Sequence, residues 1–141
     1  MDLSVKYGTK HLDWEEVCNL IRRAPLGTRD PEKLRYAAES SHTVCSAFMG
    51  DRLLGFGRAI SDGQYQSAIY DVVVIPEMQN RGIGKSIMKA LLSCLPKETT
   101  VLIYSAPGKE GFYRPFGFCN LKTGMGLFPN PELSRSKGYL E

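Results

Sequence analysis

The sequence predicts an α+β domain in which helices flank a mixed central β-sheet, in the order β-α-α-β-β-β-α-β-α-β-β. Three observations support this prediction. Two amphipathic helical segments precede the first long strand, and from Thr43 the apolar period changes from helical to alternating. A buried β-branched run then leads through a glycine-bearing turn into another helix. The strict alternation of strand and helix that a doubly wound fold needs is not found in the pattern.

The N-terminal part contains one strand and two helices. Leu3 to Tyr7 alternates as a short strand. Asp13 begins the first helix, and Glu16 stands three residues later as the other half of a capping box. Asp30 and Pro31 open a second, shorter helix, because proline suits the first helical position.

Three strands then form a predicted antiparallel meander. The turns between them carry glycine next to aspartate, which is typical of hairpins. The last strand ends in a β-branched run suited to burial on both faces. The predicted strands are Val44–Met49, Leu53–Ile60 and Gln66–Ile75.

The C-terminal part alternates helices and strands. Gly82–Cys94 is an amphipathic helix, Thr100–Tyr104 a strand and Lys109–Tyr113 a short helix. Phe118–Leu121 and Met125–Phe128 are the predicted closing strands.

Length and composition indicate one domain, residues 1–141, with a polar and loosely held tail at 130–141. Hydrophobic residues make up 43% of the chain, as in ordinary globular proteins. We expect a cytoplasmic protein without a membrane partner, because neither a signal peptide nor about 18 consecutive apolar residues occur. The net charge of +3 comes from scattered basic residues, so we expect no nucleic-acid surface.

The cysteine pattern argues against a metal. The cysteines form no CxxC pair and no cluster with histidine, so a zinc site is not expected. Each lies in an apolar neighbourhood, which predicts buried thiols in a reducing compartment. Only His11 and His42 could serve a catalytic cysteine, and neither lies in a motif. The cysteines are Cys18, Cys45, Cys94 and Cys119.

The most informative segment joins the third meander strand to the long helix. Pro76 stops the strand, and a glycine-bearing turn opens the helix. The unpaired N–H groups of a helix start and the helix dipole favour an anion such as a diphosphate. Gly82 and Gly84 allow close approach, while Arg81 and Lys85 add positive charge.

This turn allows three other interpretations. A dinucleotide fold requires a third glycine where Ile87 stands. A P-loop matches Gly84-Lys85-Ser86, but its first glycine is replaced by Gln79 and no strand ending in aspartate follows. In the third interpretation the glycines only start a helix and the turn binds no anion, and these residues alone leave that interpretation open.

The motif V-x-P-x-x-Q-x-x-G-x-G, followed by F-Y-x-x-x-G-F at Phe112–Phe118, resembles the GNAT superfamily of N-acetyltransferases. The resemblance covers the chain from about Leu53 to Phe128. Within the family, Tyr70-Asp71-Val72-Val73-Val74, the Gln79 turn and Gly124-Met125 look like the serotonin N-acetyltransferase group.

The resemblance implies acetyl-CoA as co-substrate, with no metal. It also implies a bulge in the core strand that admits the pantetheine arm, and a backbone N–H near Val73 or Val74 for the oxyanion. The implied cofactor-binding residues are Val72, Val73, Val74, Gln79, Asn80, Arg81, Gly82, Ile83, Gly84, Lys85 and Ser86.

Two proton transfers need side chains. The amine must lose a proton, and Asp71 is the first candidate base, against a purely structural role for its carboxylate. Glu110 is the second candidate. Tyr113 matches the family tyrosine that protonates the CoA thiolate, while its alternative role is packing on Phe116 and Phe118.

The family's cofactor-contacting asparagine is missing, because Ala106 and Pro107 stand in that region, and Ser105 or Lys109 are the possible substitutes. Four aromatic residues either line an acceptor pocket or belong to the core and sheet: Tyr36, Phe56, Tyr65 and Tyr70.

The function expected is acetyl transfer from acetyl-CoA to a primary amine of a small molecule, by direct attack in a ternary complex. The alternatives are a protein lysine or N-terminal acetyltransferase and a catalytically silent CoA-binding module. A homodimer is compatible with the sequence.

Overall fold

The structure is a computed structural model that describes residues 2–141. Two compact units make up the chain, the first ending at Ile103 and the second comprising Tyr104–Glu141. The first unit contains β1 (Leu3–Tyr7), α1 (Trp14–Arg23), α2 (Pro31–Glu39), β2 (Thr43–Met49), β3 (Arg52–Ser61), β4 (Gln66–Val74), a 3₁₀ turn (Pro76–Met78), α3 (Ile83–Cys94) and β5 (Thr100–Leu102). The second contains α4 (Glu110–Tyr113), a 3₁₀ turn (Arg114–Phe116) and α5 (Pro131–Ser136).

The five strands form one sheet in the order β1-β2-β3-β4-β5. The pairs from β1 to β4 are antiparallel, and β2–β3 and β3–β4 are hairpins, whereas β1 and β2 are joined through α1 and α2. The last strand, β5, runs parallel to β4 after the α3 crossover. The predicted α+β class with a mixed sheet is therefore confirmed.

Side-chain caps begin the first two helices. The Asp13 carboxylate accepts hydrogen bonds from the N–H groups of Glu15 and Glu16, at 3.0 and 3.4 Å. The expected capping box is only half formed, because the Glu16 carboxylate accepts from the Leu53 N–H instead, at 3.3 Å. Asp30 caps α2 through the Lys33 N–H at 3.0 Å. Both predicted helix starts are confirmed.

Helices cover both faces of the sheet. Phe56 on β3 is fully buried and meets the ring of Trp14 from α1 edge-on, with centroids 6.5 Å apart. Its neighbour Gly57 points to the opposite face, where a Cβ would lie 2.9 Å from Ile87 and 3.0 Å from Leu91 of α3. The core thus lies between β3 and helices on both sides.

The two predicted closing strands are not formed. Residues 118–121 and 125–128 pair with no strand in the described part of the chain, and Met125 and Leu127 are fully exposed. Alternating apolar residues suit a strand only when a neighbouring edge accepts their backbone groups, which local sequence does not reveal. The predicted polar tail contains a helix, α5. The Asn130 side chain caps the start of α5 by accepting a hydrogen bond from the Leu133 N–H at 3.1 Å.

The prediction that all four cysteines are buried is wrong for two of them. Cys45 on β2 is buried, and this burial raises the pKa of its thiol to about 12. Cys18 is half-buried. Cys94 ends α3 and Cys119 follows a 3₁₀ turn, and both are exposed because apolar neighbours in sequence do not fix the direction of a side chain at an element's end. No helix within residues 2–141 has the length and apolar character to cross a bilayer.

Candidate active site

The predicted anion-binding turn lies between the end of β4 and the start of α3. Asn80 and Gly82 have φ angles of 63° and 83°, in the left-handed region that asparagine and glycine tolerate best. The Gln79 side-chain amide donates to the Val74 carbonyl at 3.0 Å. This bond ties the turn back to the strand, so the turn has a defined position beside the end of β4.

The start of α3 presents unpaired backbone donors. Gly82 caps the helix without a side-chain hydrogen bond, and the first helical bond runs from the Ser86 N–H to the Gly82 carbonyl at 3.0 Å. The N–H groups of Ile83, Gly84 and Lys85 therefore have no helical acceptor, which is the arrangement that binds phosphates. A Cβ at Gly82 would meet no described atom within 4 Å, so the approach is clear.

Two basic side chains lie in and just after this turn. Arg81 and Lys85 are exposed, in positions to add positive charge near the free N–H groups. The Ser86 hydroxyl, in contrast, donates back to the Gly82 carbonyl at 3.1 Å. It is thus turned toward its own helix, whereas a P-loop directs this hydroxyl to magnesium.

An ion-pair clamp that the sequence did not predict holds the 3₁₀ turn before α3. Glu77 accepts from Arg23 of α1 at 2.7 Å and from Arg52 of β3 at 2.8 Å. A hydrogen bond from its own backbone N–H and the bond from Arg23 lower the pKa of Glu77, so it stays ionised at neutral pH. The clamp joins three elements at the entrance to the anion-binding turn.

A β-bulge interrupts β4 where the family resemblance implied one. Phe56 faces Val73 and Arg58 faces Tyr70, so Asp71 and Val72 together oppose the single residue Gly57. Asp71 has a φ of 59°. Two residues opposite one is the pattern of a bulge, which disrupts the ladder and increases the local twist.

Beyond the bulge, β4 is not paired with β5. The parallel pairing covers Gln66–Ala68 on β4 and Thr100–Leu102 on β5. Among the described strands, none other pairs with that edge of β4. The part of β4 that contains Val72, Val73 and Val74 therefore has backbone groups that no β5 residue satisfies, at the end of the strand nearest the anion-binding turn.

Asp71 lies at the bulge with both carboxylate oxygens engaged. Arg58 Nε donates to Oδ2 at 2.8 Å, and Arg29 Nη2 donates to Oδ1 at 3.1 Å. The Asp71 side chain is only 6% exposed. These contacts favour the structural interpretation of this carboxylate, and its assignment as the general base stays a prediction.

Tyr113, in the second unit, ends α4 inside an aromatic group. Its ring centroid lies 4.9 Å from that of Phe112 and 6.0 Å from that of Phe118. The expected contact with Phe118 is present, whereas Phe116 meets Phe112. Burial raises the pKa of Tyr113, so its hydroxyl carries a proton at neutral pH. A protonated phenol is the state that an acid catalyst needs.

The other polar candidates of the second unit lie at the start of α4 or just before it. The carboxylate of Glu110 accepts from the Gly108 N–H at 3.3 Å. Its own backbone N–H, that of Gly108, the Ser105 hydroxyl and the charge of Arg114 lower the pKa of Glu110, which makes it a weaker base. Lys109 is the residue that precedes the first turn of α4.

The four predicted acceptor-pocket aromatics have different environments. Phe56 belongs to the core, and Tyr36 and Tyr65 are 76% and 75% exposed. The Arg58 guanidinium lies over the ring of Tyr70, and its central carbon is 5.4 Å from the ring centroid. Of the two alternatives left open for these aromatics, Phe56 takes the core one, because a side chain packed against Trp14 is closed to a ligand. In the described part of the chain, no group of three acidic, histidine or cysteine side chains is placed to hold a metal.

Comparisons with known proteins point to one family. A family model described as an acetyltransferase (GNAT) domain matches residues 20–124. The chain is 31% identical over 130 residues to an uncharacterized N-acetyltransferase, ycf52, of Porphyra purpurea, covering 87% of this chain and 75% of that protein. It is 31% identical over 121 residues to serotonin N-acetyltransferase 2, chloroplastic, of Oryza sativa subsp. japonica, covering 82% of this chain and 60% of that one.

A solved structure shares the fold. The GNAT-family acetyltransferase of Streptococcus pneumoniae TIGR4 superimposes with a TM-score of 0.76 at 29% identity, covering 90% of this chain and 96% of that one. The fold, the turn before α3, the bulge in β4 and the sequence relatives all indicate the same family. This chain belongs to the GNAT family of N-acetyltransferases.

Proposed function

We propose that this protein transfers an acetyl group from acetyl-CoA to a primary amine of a small molecule, by direct attack of the amine in a ternary complex. One observation carries the proposal: the three free N–H groups at the start of α3 lie next to the bulged end of β4 that β5 leaves unpaired. An anion site beside a strand edge that β5 leaves unpaired matches the diphosphate and the amide-containing arm of one ligand.

The diphosphate end of acetyl-CoA is assigned to the turn from Gln79 to Ser86. Backbone N–H groups of Ile83, Gly84 and Lys85 would donate to phosphate oxygens, and the helix dipole strengthens these bonds. Arg81 supplies a further positive charge from an exposed position. Gln79 and Asn80 shape the turn through the bond to Val74 and the left-handed backbone.

The pantetheine arm and the acetyl group are assigned to β4 from Val72 to Val74. The arm carries amide groups, which pair with backbone groups as a neighbouring strand would. A backbone N–H near Val73 would then donate to the acetyl oxygen as negative charge develops on it. A fixed donor of this kind stabilises the tetrahedral intermediate without reorganising.

Proton transfer completes the reaction. The amine attacks the thioester carbon, loses a proton, and the carbon–sulfur bond breaks to release the CoA thiolate. Tyr113 is assigned as the acid that protonates this thiolate. The contacts of Asp71 with two arginines favour water-relayed removal of the amine proton. The pH dependence of Asp71→Asn distinguishes this route from the competing assignment of Asp71 as the base.

The acceptor class rests on the relatives. One relative is named a serotonin N-acetyltransferase, whose name denotes a small amine as the acceptor. A protein lysine or N-terminal acetyltransferase and a silent CoA-binding module use the same cofactor site, so the acceptor experiment must separate them.

Acetyl-CoA is expected to raise the melting temperature of the protein. At 100 times its dissociation constant, a ligand that binds only the folded state stabilises it by about 2.7 kcal/mol, which corresponds to roughly 5–10 °C here. ATP with magnesium is the control and should have no comparable effect. Stabilisation by ATP with magnesium and not by acetyl-CoA would contradict the assignment of the turn.

The acceptor is identified by following thiol release from acetyl-CoA with arylalkylamines, polyamines, amino acids, aminoglycosides and lysine peptides. We expect turnover with a small amine. Turnover with lysine peptides alone would establish the protein acetyltransferase, and binding of acetyl-CoA without turnover of any acceptor would favour the silent module.

A further inference from the structure

The bulge in β4 is built on a residue with an unfavourable backbone. Asp71 has a φ of 59° within a strand, a conformation that costs a non-glycine residue roughly 1–3 kcal/mol. Such a residue persists only when its surroundings impose the conformation. The contacts of the Asp71 side chain show which groups impose this backbone conformation.

Two arginines from different elements meet at the Asp71 carboxylate. Arg58 comes from the neighbouring strand β3, and its Nε donates to Oδ2 at 2.8 Å. Arg29 comes from the connection between α1 and α2, and its Nη2 donates to Oδ1 at 3.1 Å. Charge-assisted bonds of this kind are among the stronger ones in proteins, and burial of the carboxylate makes its partners necessary.

Arg58 is itself held in place. Its Nη1 donates to the Ser41 hydroxyl, which follows α2, at 3.4 Å, and the hydroxyl in turn donates to the Ala37 carbonyl at 2.7 Å. Its guanidinium lies over the Tyr70 ring. The side chain is only 19% exposed, so packing fixes its direction as well as its charge.

We infer that Arg29 and Arg58 are positioning residues for acetyl transfer, holding the bulge of β4 in its left-handed conformation through the Asp71 carboxylate. This inference rests on the proposed function, because the bulge matters to catalysis only if the β4 backbone near Val73 receives the acetyl oxygen. In this inference the Asp71 carboxylate connects the two arginines to the bulge, and it does not take the proton from the amine.

The consequence is a division between two ends of the site. The diphosphate turn at the start of α3 does not include the bulge, so loss of the arginine contacts should leave the diphosphate contacts of acetyl-CoA intact. Only the pantetheine arm meets the bulged strand, and the affinity for acetyl-CoA should therefore change less than kcat. The oxyanion donor depends on the bulge. A small displacement of a catalytic group lowers turnover with little effect on binding.

The test compares Arg29→Gln and Arg58→Gln with the wild type, using an acceptor that the wild type turns over. We expect each variant to lose roughly 10-fold in kcat, with the KM for acetyl-CoA changed less than about three-fold. Arg35→Gln is the matched control, since it also removes an arginine that bonds to a carboxylate, Glu39, but on the exposed face of α2. It should keep full kcat.

Asp71 variants separate positioning from base catalysis and protect the test against misfolding. Asp71→Asn should lower kcat by a factor that is constant with pH. If Asp71 were the base, the decrease in kcat would become smaller at high pH, where free amine is abundant. Asp71→Gly permits the left-handed backbone without the carboxylate, and should fold and still lose kcat. Full kcat in Asp71→Gly, full kcat in both arginine variants, or a loss that disappears at high pH would overturn the inference.

Failure of the proposed function is distinguishable from failure of this inference. If the wild type turns over no acceptor, the proposed function fails before any variant is compared. If the wild type is active and the arginine variants equal it, the proposed function stands and the positioning role is wrong.

Discussion

Replacing Tyr113 by phenylalanine is expected to lower kcat roughly 10- to 1000-fold, the usual contribution of one positioned acid. The change removes a single oxygen and keeps the ring that contacts Phe112 and Phe118. Folding and acetyl-CoA affinity should therefore change little. The measurement is kcat with acetyl-CoA, together with the melting temperature and the shift caused by acetyl-CoA.

The leaving group provides an internal check on this prediction. An acyl donor whose thiol has a low pKa needs less protonation as it leaves, so the loss in Tyr113→Phe should be much smaller with it. Tyr7→Phe is the matched control, because Tyr7 is an exposed tyrosine at the end of β1 and belongs to none of the proposed sites. If Tyr113→Phe kept full turnover with acetyl-CoA, Tyr113 would be a packing residue.

The pH dependence of kcat also tests the assignment of Tyr113 as the acid. Burial raises the pKa of Tyr113 above the ordinary tyrosine value near 10. The hydroxyl is therefore protonated, and competent as an acid, throughout the neutral range. The wild type should lose activity only where pH exceeds this raised pKa, and the alkaline decrease due to Tyr113 should be missing from Tyr113→Phe. A decrease with the same midpoint in both proteins would exclude Tyr113 as its origin.

The position and backbone of the glycine-bearing turn before α3 could be predicted from the sequence because their determinants are local. Pro76 and Gly82 lie within a few residues of the helix they precede, and the conformation of each follows from its own chemistry. The same holds for Asp13 and Asp30, whose side chains cap the helices that begin one residue later. Local rules therefore predicted most helix starts and the position of the glycine-bearing turn before α3.

The bulge depends on pairing across the sheet, which local sequence does not specify. Only the register of Arg58 with Tyr70 and of Phe56 with Val73 shows that β4 has one extra residue. Arg29 lies 42 positions from Asp71 in sequence, in a connection with no motif. The family resemblance implied a bulge, but the arginines that hold it required the three-dimensional arrangement.

The closing strands failed for a related reason. Met125 and Leu127 alternate with glycine as a strand does, yet both are fully exposed. Alternation records which side chains point the same way and says nothing about whether an edge is available. A pattern of period two is thus not sufficient to predict a strand.

Replacing Gly84 by valine is expected to weaken acetyl-CoA binding roughly 100-fold, or about 2.7 kcal/mol. Gly84 lies in the first turn of α3, where its free N–H is one of the proposed phosphate donors. A branched side chain would keep the diphosphate away from these N–H groups, and losing two charge-assisted hydrogen bonds accounts for an effect of this size. The fold should survive, because valine has a somewhat better helix propensity than glycine.

The matched control is Ser93→Val, which places the same branched side chain in the last turn of α3, roughly 13 Å along the helix from Gly84. Binding is measured by calorimetry and by the thermal shift with acetyl-CoA, and the far-ultraviolet circular dichroism spectrum reports helix content. We expect Gly84→Val to lose the thermal shift and Ser93→Val to keep it, with native spectra for both. Wild-type affinity in Gly84→Val would mean that the diphosphate binds elsewhere and that glycine at this position only starts the helix. Equal loss of affinity in both variants would trace the effect to the helix and not to the phosphate site.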